Sequence, residues 1–142
     1  MAHLPPTVNA VAEMNGLYWT DGGAEGFFPQ MSLLEELVRW YPDAHFILNV
    51  RPITNWIASV NAHNDMRRRL ASADLPGLPR GAGYDDGELR DWVGRHHDRV
   101  QQVLSKKRAR LLVFDIEQHG ERELSTFLGR RVTWKKCNAS AW

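Results

Sequence analysis

Residues 45–59 read His45-Phe-Ile-Leu-Asn-Val50, then Arg51-Pro52, then Ile53-Thr-Asn-Trp-Ile-Ala-Ser59. The first six residues form a nearly continuous apolar run of strand length, with helical patterns on both sides. That combination predicts a buried strand of a parallel sheet. Pro52 cannot continue a central strand, but its fixed φ suits the first turn of a helix. A helix is therefore predicted from about Ile53 to Leu70, with Trp56, Ile57, Val60 and Met66 on one side.

Upstream, Ser32-x-x-Glu35 has the capping-box pattern and Leu33, Leu34, Leu37, Val38 and Tyr41 follow helical spacing. Pro42 ends that helix. Gly16 to Thr20 is a short aromatic, β-favouring run closed by Asp21-Gly-Gly, which reads as a strand followed by a loop. Downstream, residues 71–86 contain Pro76, Pro79 and Gly81 among other breakers and read as a long loop of functional interest. Asp85 or Asp86 caps a third helix with the stripe Leu89, Trp92, Val93, His96, Val100, Val103 and Leu104. Leu111-Leu-Val-Phe-Asp-Ile116 is a second buried strand. A last helix, Arg122 to Leu128, ends at Gly129, a C′ glycine. Residues 1–15 and 130–142 read as irregular. The expectation is one domain over 1–142, of α/β class, with three layers and a mostly parallel sheet.

The 142 residues, 43% hydrophobic and 25% charged, match ordinary globular composition and exclude a collagen-like or wholly disordered chain. No apolar run reaches the ~18 residues of a membrane span, and no signal peptide is read at Met1-Ala-His-Leu-Pro-Pro, so a cytoplasmic setting is expected. The single Cys137 allows no internal disulfide and no CxxC metal knuckle. The net charge of +1 hides a split: residues 1–50 sit near −5 and the remainder near +6. Basic clusters at Arg67–Arg69, Lys106–Arg110, Arg130-Arg131 and Lys135-Lys136 suit either a polyanion or plain solubility, and no nucleic-acid motif accompanies them. Asn138-Ala-Ser140 is a glycosylation sequon, meaningful only in a secreted chain.

In open α/β sheets ligands gather beyond the carboxyl ends of the strands. Arg51 stands at such an end with a forked, permanently charged donor set suited to phosphate. Ser59 lies about two helical turns later, and the intervening helix start presents unpaired N–H groups to an anion. The alternative is an arginine paired with a carboxylate and a serine on a solvated helix face. His63, one turn beyond Ser59 on the same face, either approaches the same cleft or lies on the surface. His96-His97 point to different faces and make a poor joint metal site, so no metal is expected.

The segment from Tyr41-Pro-Asp-Ala-His through Val50-Arg51 to Trp56 and Ser59 resembles the PAPS-dependent sulfotransferase family. Two other stretches agree: Trp92 to Ile116, and Glu123-Leu-Ser-Thr-Phe-Leu-Gly129 followed by Cys137-Asn-Ala-Ser140. The resemblance spans about residues 16–140. It implies a P-loop NTPase-like fold and binding of the 3′-phosphate of PAPS by Arg51 and Ser59. It also matches Asp21 to the strand end that carries the family's catalytic base. Such a carboxylate would accept the acceptor's proton; the alternative is an Asp serving an Asx turn before Gly22-Gly23. Pro52 departs from the aspartate usual after the arginine.

The family's N-terminal phosphosulfate loop is missing from this reading. Gly22-Gly-Ala-Glu-Gly26 has neither the lysine nor the Ser/Thr, its Glu25 would repel an anion, and residues 1–15 are too few for a strand, loop and helix. The chain thus looks like the C-terminal two-thirds of a sulfotransferase domain. The implied function is transfer of a sulfuryl group from PAPS to a hydroxyl or amine of a small-molecule or glycan acceptor beside loop 71–86, weak or absent in this chain alone. The alternative is a non-catalytic anion- or partner-binding module whose sheet is completed by another chain or by self-association.

Overall fold

The structure, a computed structural model, describes residues 10–12 and 16–134. Cys137, the 138–140 sequon, Lys135-Lys136, Trp142 and most of residues 1–15 lie outside them. In chain order the elements are strands β1 (Gly16–Thr20) and β2 (Gly23–Phe27), helices α1 (Pro29–Ser32) and α2 (Leu34–Trp40), strand β3 (His45–Val50), helices α3 (Ile53–Ala62), α4 (Met66–Ser72) and α5 (Asp86–Lys106), strand β4 (Arg110–Asp115) and helix α6 (Glu121–Leu128). The α/β class stands. The expected mostly parallel sheet does not: among the described residues there are two two-stranded sheets. In one, β3 and β4 run parallel; in the other, β1 and β2 form an antiparallel hairpin.

The hairpin replaces the loop expected after Thr20. Asp21 and Gly22 form its two-residue turn, and Tyr18 pairs across from Glu25. Asp-Gly between strands is a favoured hairpin turn. Gly23 sits at φ +112, and the Arg80 guanidinium lies where a Cβ would project. Arg80 donates to the carbonyls of Gly22 and Ala24, fastening the turn to the far side of the chain.

Three further expectations need correction. Ser32 caps no helix: Pro29 starts α1 upstream, Ser32 ends it, and the residue before α2 is Leu33 with no side-chain cap. The single helix expected over 53–70 is two, broken at His63–Asp65, where Asp65 takes the left-handed conformation at φ 49. The loop expected over 71–86 spans 73–85 and is packed into the core. Ala71 and Ser72 end α4, and Ala71, Ala73, Leu75, Leu78 and Gly83 are buried. Asp74 exchanges backbone hydrogen bonds with Ala24 and Gly26 of β2 at 2.9 and 2.8 Å. Leu75-Pro76-Gly77-Leu78 is a tight turn, closed in both directions at 2.9 and 3.0 Å, with Gly77 at φ +79. Proline then glycine at the two central positions is the signature of a type II turn. Trp92 Nε1 donates to the Pro76 carbonyl at 2.8 Å and anchors the turn on α5.

Helix α5 forms as expected. Asp85 is its N-cap, accepting from the Gly87 and Glu88 amides, while Glu88 reaches back to the Asp85 amide. Its 21 residues, ~31 Å of helix, reach two apolar clusters. Leu89 and Trp92 pack with Ala24, Val60, Ala73, Leu75 and Leu78 under the hairpin. Val100 and Leu104 pack with Leu34, Val38 and Leu48 under the parallel pair. This helix thus joins the two small sheets and holds β3 and β4 in place.

Candidate functional site

Parallel pairing in register, with Val50 opposite Asp115, brings the carboxyl ends of β3 and β4 side by side. The Ile116 amide still bonds to the Val50 carbonyl at 3.0 Å. Just past the two strand ends, Arg51, the first residue after β3, therefore meets Glu117, the second after β4. Arg51 donates Nε and Nη2 to Glu117 Oε1 at 2.9 and 2.6 Å. Asn55, in the first turn of α3, donates Nδ2 to Glu117 Oε2 at 2.9 Å. Arg51 and Glu117 are both half-buried, their side chains 24% and 19% exposed.

Glu117 is held by its own turn. Asp115 Oδ1 accepts from the Glu117 amide at 2.8 Å, and the Asp115 carbonyl accepts from the amides of Gln118 and His119. His119 Nδ1 accepts from the Asp115 amide at 3.0 Å. Phe114, fully buried, lies against His119 with the two rings tilted at 55° and meets Trp134 edge-on at 5.3 Å.

Ser59 is half-buried on α3, one turn past Asn55, and His63 follows one turn later, exposed, as the C-cap. Asn55, Ser59 and His63 thus form one i, i+4 stripe that starts at Arg51. Pro52 is the N-cap, and its carbonyl takes the amides of Asn55 and Trp56. The amides of Ile53 and Thr54 precede this ladder and carry the positive end of the helix dipole.

Asp21 belongs to the other sheet. It is exposed in the hairpin turn, and its carboxylate has no hydrogen bond or ion pair among the described residues. The Asx turn weighed as its alternative role is likewise not formed. Neither Asn55 nor Glu117 was singled out from sequence. The signal was there: in a parallel pair, the residues just past the two strand ends are neighbours.

A cleft of about 260 Å³ lies elsewhere, along α5, between Met31, Pro76, Trp92, Arg95, His96 and Arg99. Burial, then the neighbouring His97 and Arg99, lowers the pKa of His96 below the ordinary imidazole value. Among the described residues no group of three or more His, Cys, Asp or Glu side chains is placed to hold a metal ion.

The segment carrying Arg51 and α3 has a counterpart among known families. Residues 26–76 match the family model of the sulfotransferase domain. No curated protein and no solved structure matches the chain. The sulfotransferase match starts in β2 and ends in the Pro76 turn. It includes Arg51, Asn55, Ser59 and His63 and leaves out Asp21, Glu117 and the later stretches, Trp92 to Ile116 and Glu123 to Gly129. Among the described residues no helix is long and apolar enough to cross a membrane.

Proposed function

We propose that this chain acts as a sulfotransferase-type domain, with PAPS as donor and a hydroxyl or amine of a small molecule or glycan as acceptor. The carrying observation is Arg51. It stands at the carboxyl end of a parallel strand, one residue before the N-cap of α3, inside the segment that matches a sulfotransferase domain. Strand end, guanidinium fork and helix N-terminus together favour a phosphate dianion. In this reading Arg51 and the first turn of α3 take the 3′-phosphate, Ser59 adds a hydroxyl donor, and His63 borders the cleft.

The chemistry is an in-line displacement. The acceptor oxygen or nitrogen forms a bond to sulfur as the bond from sulfur to the 5′-phosphate oxygen breaks. Adenosine 3′,5′-bisphosphate leaves with that electron pair, and the acceptor proton passes to a base. Asp21 is proposed as that base. Positioning and charge neutralisation supply most of such catalysis. The glycine-rich stretch 22–26 is part of the β1–β2 hairpin and carries Glu25 with neither a lysine nor a Ser/Thr, so it offers the 5′-phosphosulfate no cationic cradle. Turnover by the 142-residue chain alone is expected to be slow.

Calorimetric titration with adenosine 3′,5′-bisphosphate tests the reading. Saturable binding to the parent protein that is lost in Arg51→Ala supports it; absence of saturable binding overturns it.

A second reading rests on the sheet of β3 and β4. Parallel strands are ordinarily covered on both faces and paired on both sides. Here the pair stands by itself among the described residues, and Ile47 and Val113 are 41% and 36% exposed. A module that completes this sheet with another strand, and binds without turnover, fits those features. A stable oligomer in light scattering, with no nucleotide binding, selects it.

A further inference from the structure

We propose that Glu117 is a specificity residue: a resident counter-anion that an incoming anion must displace from Arg51. The inference rests on the proposed phosphate site and adds the rule by which that site chooses its ligand.

Arg51 spends Nε and one Nη2 proton on a single carboxylate oxygen. Those are donors that a bidentate phosphate contact would use. Asn55, whose side-chain amide lies in the first turn of α3, is bound to the second oxygen of the same carboxylate. Glu117 therefore occupies, with two oxygens, the polar positions that an anion at this strand end would take. The placement is prepared in advance. Asp115 and His119 fix the turn at 116–118 through two backbone–backbone and two backbone–side-chain hydrogen bonds, so the carboxylate is delivered without further ordering of the chain.

Displacement has a consequence for selectivity. A monoanion arriving at Arg51 merely exchanges one negative charge for another, and leaves Glu117 uncompensated in a half-buried position. A phosphate monoester brings nearly two charges and three acceptor oxygens. It can satisfy Arg51, the Asn55 amide and the free amides of Ile53 and Thr54 together, which a carboxylate cannot. The site then admits dianionic phosphate and refuses carboxylates and sulfate esters. Sequence position accounts for the arrangement: Glu117 enters from the neighbouring strand and outside the segment 26–76, so it tunes the site independently of that segment.

The test compares the parent protein with Glu117→Gln and Glu117→Ala, titrated with adenosine 3′,5′-bisphosphate and with acetate, a carboxylate monoanion. Circular dichroism verifies that each variant is folded. Glu117→Gln keeps the shape and removes the charge. It is expected to bind the bisphosphate about fivefold more tightly, as loss of a partly exposed competing charge implies. Glu117→Ala follows in the same direction, and acetate, refused by the parent, gains affinity in both variants. Binding that appears only in the variants supports the proposal as well. If the parent binds the bisphosphate and both variants bind it equally or more weakly, Glu117 merely supports Arg51; the specificity role is overturned while the phosphate site stands. If no protein of the three binds, the phosphate site itself is wrong, and the inference goes with it.

Discussion

Arg51 and Glu117, 66 residues apart in sequence, form a two-point contact to one carboxylate oxygen at 2.9 and 2.6 Å. The pair closes the carboxyl end of the parallel sheet and joins the matched sulfotransferase segment to a residue from outside it. Its energetic weight is modest. Both side chains retain solvent contact, which screens the attraction to the order of ~1 kcal/mol.

Arg51→Ala is therefore expected to separate binding from folding. Saturable binding of adenosine 3′,5′-bisphosphate disappears, while the thermal midpoint falls by only a few degrees, as ~1 kcal/mol implies for a domain of this size. A collapse of the melting transition would show the pair to be a keystone of the fold instead.

Asp21→Asn tests the proposed base. With sulfuryl transfer followed by release of the bisphosphate, kcat is expected to drop by about 10²-fold or more while bisphosphate affinity stays constant. Unchanged kcat assigns the proton to another group.

Phe114 is 1% exposed and supports His119 and Trp134 under the Glu117 turn. Phe114→Ala removes a whole ring from a packed position and is expected to cost roughly 3–5 kcal/mol. Chemical denaturation measures it. The variant should lose stability and bisphosphate selectivity together, since the turn rests on that ring.

Glu123 caps α6 from within: its carboxylate accepts from the Gly120 amide at 2.8 Å and from Arg122 at 2.9 Å. The backbone hydrogen bond from Gly120 comes first among the causes that lower its pKa to about 2, from 4.5. A depressed folded-state pKa means stability that is fully present above 4.5 and drains away as pH falls from there towards 2. In Glu123→Gln this part of the acid limb is expected to flatten, as read by melting curves across that window. An identical acid limb in the variant rejects the assignment.

Asp85→Ala removes the acceptor of the Gly87 and Glu88 amides at the start of α5. Loss of a formed N-cap costs about 1 kcal/mol. Helix α5 spans both apolar clusters, so the loss should appear as one cooperative shift of the melting transition rather than local fraying. Asp85→Ser should restore most of it.

Much of this fold was legible along the chain. The strand at 45–50, the start of the helix after Pro52, the cap at Asp85, the stripe of α5 and the C′ glycine at 129 are local signals, and each is found in the structure. Strand β2 was not legible, because Gly23-Ala-Glu-Gly-Phe27 has little intrinsic strand preference; β1 on one side and Asp74 on the other impose its conformation. The capping pattern at Ser32 misled because Pro29 starts a helix earlier. The break after α3 had a signal, the turn-forming Asn64-Asp65, that the helical spacing of Met66 masked. Residues 71–86 read as a loop from their prolines and glycines, yet their small and apolar residues build the core beneath the hairpin.

At the site, Arg51 at a strand end and the Asn55, Ser59 and His63 stripe behind it follow from the amino-acid order, since a strand that stops at a proline and a helix with i, i+4 spacing are properties of neighbouring residues. The occupant of the Arg51 fork does not. Whether that guanidinium meets solvent or a carboxylate depends on which strand lies beside β3 and in what register. Only the packing of α5 across both apolar clusters settles that, by bringing β4 alongside and carrying Glu117 over 66 residues to its partner.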